Sequence, residues 1–209
     1  MKLNQSLLII GIVAIGAAAL LLGAYSAASA PLPEGFPPPT PDGKIEVRNY
    51  PEYRAATVQV AGALEDAPSQ GFNPLYRHIS SNEISMTAPV ETRYPTGTLQ
   101  NSSTNEGSAA VSFLYRNLNI VPQEVAQNIQ IEDIPPMTVV SIGIRGSYDF
   151  ATYTRNLQRL QDWLAANPNY AVVGPPRRFF YDGPFIPDAL KRSDVQIPVQ
   201  LTNSPAPNP

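Results

Sequence analysis

The sequence predicts an α+β fold, a twisted antiparallel β-sheet or barrel flanked by two α-helices. Three observations lead there. Apolar and polar residues alternate in several short runs, the period of a half-buried strand. Two longer segments carry apolar residues at helical spacing instead. And the chain repeats itself: Pro51, Val58, Val60 and Gly62 match Pro135, Ile142, Ile144 and Gly146, each pair 84 positions apart. Both copies read as a strand ending at a glycine, then a helix, then more strands, so a pseudo-twofold repeat is expected.

The first 30 residues have the layout of a secretory signal peptide: Lys2, nineteen uncharged residues over 7–25, then Ala28-Ser29-Ala30. Nineteen apolar residues also suffice for an N-terminal membrane anchor, a transmembrane helix. Either way Lys2 stays cytoplasmic. The domain is therefore expected to be exported to a periplasm, lumen or extracellular side, either secreted or anchored by residues 7–25. Six of residues 31–41 are proline, so 31–43 reads as an extended, semi-rigid linker with no core of its own. Residues 44–201 form the domain, long enough to bury a core, and 202–209 read as a disordered tail.

Within the domain, residues 45–49 alternate and Pro51 ends the run. Ala56, Val58 and Val60 make a second strand, closed by Gly62. A helix is expected within 68–80, with Phe72, Leu75, Tyr76 and Ile79 on its apolar face. Pro74 lacks the interior N–H, so Asn73 should cap a shorter helix there or a kink should form. Ile84, Met86, Ala88 and Val90 recur at every second position, a strand that Pro89 should confine to an edge or a bulge. Residues 95–108 are rich in Gly, Ser, Thr and Asn, and read as a loop carrying an Asn101-Ser102-Ser103 sequon. Val111, Phe113 and Tyr115 form another strand, 128–132 a short extended segment, and 137–145 a strong strand. Residues 149–166 are the clearest helix, with Phe150, Tyr153, Leu157, Leu160 and Leu164 on one stripe and Asp149 in the first turn. Residues 170–173, 178–181 and 195–199 complete the sheet.

Composition excludes several chemistries. There is no cysteine and only one histidine, His78, so a conventional zinc site and a thiolate nucleophile are not expected. The net charge is −3, which offers no basic face for nucleic acid. No nucleophile elbow, phosphate-cradling glycine loop or dinucleotide fingerprint occurs. The protein therefore reads as a binding domain and not an enzyme. Glu83 and Glu91 flank the Met86 strand, where a carboxylate pair can do acid–base work, though solvated strand ends are the plainer reading. His78 falls on a flank of its helix's apolar face, a place for a surface imidazole or a ligand. Met86 offers a thioether whose usual fate is packing.

Four segments resemble the SOUL heme-binding proteins. Ile45-Glu46-Val47-Arg48-Asn49-Tyr50-Pro51 is similar to the family's opening strand, and Gly71-Phe72 through Leu75 and Ile79 to Asn82 to its helix pattern. Ile84-Ser85-Met86-Thr87-Ala88-Pro89-Val90 is similar to its I-x-M-T-A-P-V signature, the most specific piece, and Met137-Thr138-Val139-Val140 with Gly146 resembles its second half. The resemblance implies a helix-flanked antiparallel barrel that binds heme or another tetrapyrrole in a shallow apolar site beside a helix; it does not imply catalysis. Some members carry a histidine, proposed as an iron ligand, where this chain has Asn49, and an amide is a poor iron ligand. His78 stands where the helix motif has tyrosine. The tetrapyrrole-site candidates are thus His78 and Met86, with Arg54, Arg77 or Lys44 for the propionates. Heme is not expected to be required for folding. The alternatives are a membrane-surface protein-interaction module and a tetrapyrrole-modifying enzyme with Glu83 or Glu91 as base.

Overall fold

A computed structural model describes residues 30–101 and 105–202. The expected signal or anchor, most of the tail and two sequon residues lie outside them. Among the described residues no helix is long and apolar enough to cross a membrane.

The nine strands are β1 Ile45–Tyr50, β2 Tyr53–Ala63, β3 Val90–Arg93, β4 Glu106–Leu114, β5 Gln130–Ile134, β6 Met137–Arg145, β7 Tyr170–Val172, β8 Arg177–Phe180 and β9 Arg192–Leu201. The helices are α1 Ala67–Ser81, α2 Gly97–Gln100 and α3 Phe150–Ala166. The strands form one antiparallel sheet in the order β1-β6-β9-β8-β3-β4-β2-β5, with β7 on β9. The path is open. Read from either edge it gives the same series, β1-β6-β9-β8 against β5-β2-β4-β3. This is the pseudo-twofold expected from the repeat, and its halves meet at β3–β8. The matched glycines do the same job in each copy: Gly62 has φ +120° and Gly146 +139°, values that side-chain-bearing residues rarely adopt.

The two faces of the sheet are filled differently. On one, Val58, Val60, Val111, Phe113, Val140, Ile142, Val195 and Ile197 meet Leu75 and Ile79 of α1 and Leu157 and Leu160 of α3. Asp149 caps α3, its carboxylate accepting from Thr152 N at 2.6 Å. The other face has no helix. Its aromatic cluster of Tyr50, Tyr53, Phe179 and Tyr181 is closed by Phe36, edge-on to Tyr50 at 5.0 Å and to Tyr53 at 5.2 Å.

Phe36 belongs to the segment expected to be a linker. Residues 31–43 are instead a strap over this second face. Glu34 N donates to Arg116 O, Thr40 N to the Asp194 carboxylate at 3.1 Å, and Gly43 N to Gly143 O. The reason is steric. A Cβ on Gly143 would lie 2.1 Å from Thr40 O, so only a glycine in β6 lets the strap lie this close. Proline richness made the segment stiff, and stiffness suits a docked strap as well as a spacer.

Two further expectations change. Helix α1 does not restart at Pro74; it begins at Ala67 with Pro68 in its first turn and runs through Pro74. Packing of its inner face overrides the one missing backbone bond. It ends on a reversal at Glu83, φ +56°, with Ile84 N donating to Ile79 O at 2.8 Å. Residues 83–89 are not a strand. Thr87 Oγ1 donates to Leu114 O and Ala88 N to Pro31 O, so their polar groups go to the end of β4 and the strap. Pro89 thereby precedes β3, which is central and not at an edge. Within the loop expected over 95–108, Gly97–Gln100 forms α2 and β4 begins at Glu106.

Helix α1 meets β4 at Gly71, where a Cβ would lie 2.6–2.9 Å from the Val111 side chain. Gly71→Ala should therefore cost about 1–3 kcal/mol by denaturant unfolding, and a Val111→Ala partner should recover part of it. Burial pushes the Asp194 carboxyl up to about 6, against the hydrogen bonds from Thr40 and Tyr181. A raised carboxyl adds stability below its unfolded value of 3.8 and loses it as pH rises through about 6. Between pH 7 and pH 4, Asp194→Asn should thus lose roughly 2 kcal/mol more, or gain that much less, than the wild type in thermal or urea melts.

Candidate functional site

Because Gly71 sits against β4, the buried face of α1 is Ala67, Gly71, Leu75, His78 and Ile79. The aromatic residues turn outward. Phe72 is 36% exposed and Tyr76 52%. Their rings stack 5.9 Å apart at 11°, and Phe72 rests edge-on against Phe113 at 5.1 Å. Ile84, Met86 and Val90, each half-buried, pack on the same core. The result is an apolar ridge on the outside of α1, held by the helix and the strand beneath it. Sequence periodicity placed Phe72 and Tyr76 in the core. It did not register that the inward position is the glycine.

His78 moves the opposite way. It is 4% exposed and not on a surface flank. One ring nitrogen, Nε2, lies 2.7 Å from the Tyr115 hydroxyl, and the rings run nearly parallel. Burial lowers the imidazole pKa and raises that of Tyr115 to about 12, so both are neutral near pH 7. Asn82 completes this corner: its amide donates to His78 O and Glu124 O and accepts from Gln123 N and Glu124 N. It pins the loop after β4 to the end of α1, a role no sequence pattern announced.

The structure does not gather the other candidates into one site. Met86 is half-buried and packs against the helix-side core. Arg77 is exposed on α1 beside Tyr76. Arg54 is bidentate to Asp133, at 2.7 and 2.8 Å, and also donates to Ile120 O. Lys44 is exposed just before β1, in the other half of the sheet, and Asn49 on β1 accepts from Thr138 Oγ1. Glu91 is neither a solvated strand end nor an accessible base. It is fully buried on the strap face, paired with Arg177 at 3.0 Å and accepting from Tyr53 Oη at 3.0 Å. Glu83 is exposed at the end of α1. The two carboxylates therefore do not form a pair. The twin arginines of β8 carry no sequence signal of their burial. Arg177 is 1% exposed, with its guanidinium over the Tyr50 and Phe179 rings at 5.0 and 4.5 Å.

Two concavities, of 480 and 430 Å³, lie along α3 and not beside α1. The larger is lined by Phe150 and Ala151 together with Glu65, Asn105, Arg155 and Gln158, the smaller mainly by the polar groups of Gln158, Gln161 and Asp162. The charged and amide groups in both make them a poorer seat for a flat apolar macrocycle. Among the described residues no group of three or more His, Asp or Glu side chains is placed to hold a metal ion.

His78 is the only histidine, so its ring gives one proton resonance to follow with pH. Its midpoint should fall below 6.5. A lowered histidine supports the fold above its unfolded value and ceases to as pH falls through the folded one. Tyr115→Phe should cost about 1–3 kcal/mol by leaving His78 without its partner.

The sequence model of the SOUL heme-binding protein family matches residues 39–198. No curated protein matches the chain. Among solved structures, EcmrR in its DNA complex superposes with a TM-score of 0.61 at 19% identity, over 76% of this chain and 58% of that one. The isolated C-terminal domain of EcmrR gives 0.57 at 20%, over 76% of this chain and 98% of that one. An uncharacterized conserved protein from Listeria innocua gives 0.57 at 12%, over 77% and 94%. At such identities the likeness is one of fold alone.

Proposed function

The chain belongs to the SOUL heme-binding protein family, and from that premise we propose that it binds heme or a related tetrapyrrole on the outer ridge of α1. The role is that of a non-catalytic carrier or buffer outside the cytoplasm. The observation that carries the place of binding is the stacked, exposed pair Phe72 and Tyr76 on Phe113. A macrocycle is flat and apolar with acidic edges. Two outward rings resting on Phe113, whose strand neighbour is the half-buried Val90, match its face, and Arg77, next to Tyr76 in the chain, is the candidate for a propionate.

His78 serves the fold in this reading. Its Nε2 is held by Tyr115, and ligating iron would require breaking that bond. Catalysis has little support. Glu91 is locked in an ion pair away from α1, and Glu83 has no partnering acid at the ridge. Export is supported by the uncharged run over residues 7–25 following Lys2, with the chain either cleaved after Ala30 or retained as an anchored protein.

Hemin titration followed by Soret absorbance tests the proposal. The wild type should saturate at micromolar protein. Tyr76→Ala should weaken binding roughly tenfold, and Phe72→Asp more, by removing apolar contact. Arg77→Ala should weaken it by about two- to fivefold. His78→Ala should leave the Soret maximum in place; a displaced maximum would make His78 an iron ligand. No saturable change in the wild type sinks the proposal.

A further inference from the structure

The turn after β8, residues 182–191, carries Phe185 at 97% exposure and Leu190 at 44%. Pro184 and Pro187 flank the Phe185-Ile186 pair. Its shape is held firmly. Ile186 N donates to Gly183 O, Leu190 N to Pro187 O and Lys191 N to Asp188 O. At the base, Asp182 accepts from Arg192 through backbone N at 2.6 Å and guanidinium at 2.7 and 3.1 Å. Tyr148 Oη accepts from Asp182 N and donates to Arg192 O. The loop thus holds Phe185 almost wholly in solvent, with Leu190 exposed and Ile186 half-buried beside it.

The register of the sheet says what lies next to it. Phe180 pairs with Val90, and Val90 with Phe113. The turn, the start of β3 and the end of β4 therefore share one end of the sheet. The chain arrives at that same end, where Ala88 N donates to Pro31 O and Arg116 to Leu32 O. Neighbouring strands are about 5 Å apart, so Pro31 and the turn are separated by only a few strand spacings. Five residues separate Tyr25 from Pro31, a reach of about 20 Å fully extended. A bilayer holding residues 7–25 is thus kept close to this end.

We propose that the 182–191 turn is a membrane-contacting tip, its Phe185 and Ile186 inserted into the bilayer interface beside the N-terminal anchor. This rests on the anchored reading of residues 7–25. The contact is apolar, because the cations nearby are already matched: Lys191 with Asp188, Arg192 with Asp182, Arg116 with Glu34. It is therefore insensitive to salt and needs no anionic lipid. The C-terminal end of α1 lies at the same end, since His78 meets Tyr115 just past the end of β4, so the tetrapyrrole ridge stands next to lipid.

Trp163 supplies an internal control. It packs on Tyr170 at 5.5 Å, and Tyr170 pairs with Leu201. That is the opposite end of β9 from Arg192, about 30 Å away. The full chain is reconstituted in phosphatidylcholine vesicles, floated, and its fluorescence compared with and without acyl-chain-brominated lipid. The wild type reports Trp163 alone and should be little quenched. In Phe185→Trp the added emission should be at least halved, equally at low and high salt. Flotation without quenching of the added tryptophan overturns the tip and leaves the anchor standing. Equal quenching of Trp163 overturns the orientation. A chain that fails to float overturns the anchored reading and the tip together.

Discussion

Glu91 and Arg177 face each other where the two halves of the sheet join, 0% and 1% exposed. One comes from β3, the innermost strand of its half; the other from β8, the innermost strand of the other half. Each ion loses several kcal/mol of hydration on burial, and the pair holds only if most of its remaining polar atoms find partners. Both halves supply them, though Arg177 Nη2 is buried without one among the described residues. Tyr53 of β2 receives Arg177 Nη1 at 2.9 Å, Gln196 of β9 receives Nε at 2.8 Å, and Gln196 in turn reaches Tyr50 Oη. Removing any one side chain leaves a charge or a dipole stranded in an apolar place. The pair is weak evidence of stability, but it specifies which strands must lie side by side.

That constraint explains the strap. A polar network at the centre of an otherwise uncovered face needs water kept off it. Phe36 roofs the aromatic ring of the network and Thr40 binds Asp194 through both backbone and hydroxyl. The strap is also what ties the start of the chain to the end of β4. The face away from the helices is therefore filled, while the outer side of α1 keeps Phe72 and Tyr76 in solvent. Gly71 decides that surface, because a helix seated this close to Val111 cannot also turn Phe72 and Tyr76 inward.

Much of the fold was legible in the residues. Strand β6 was read with its observed limits, β1 and α3 to within a residue, because alternation and the 3.6-residue stripe are strong there. The 84-residue repeat announced the two-fold order of strands before any pairing was known. The candidate site was less legible. Tyr76 and Phe72 look like core by hydrophobicity, and His78 looks like surface. Glu91 sits in a strand whose neighbours on both sides bury it. Residue 31–43 composition indicates extension but not what an extended chain lies upon.

The sequence by itself determined the α+β class, the repeat, most element boundaries and the family, since each depends on local periodicity or on a short motif. Tertiary structure alone decided the rotation of α1, the central place of β3, the docking of the strap and the burial of Glu91, Arg177 and His78. Those depend on close approaches at Gly71 and Gly143 and on distant partners, 37 positions apart for His78 and Tyr115 and 86 for Glu91 and Arg177. A local pattern reports how a segment folds; it carries no record of which distant surface will meet it.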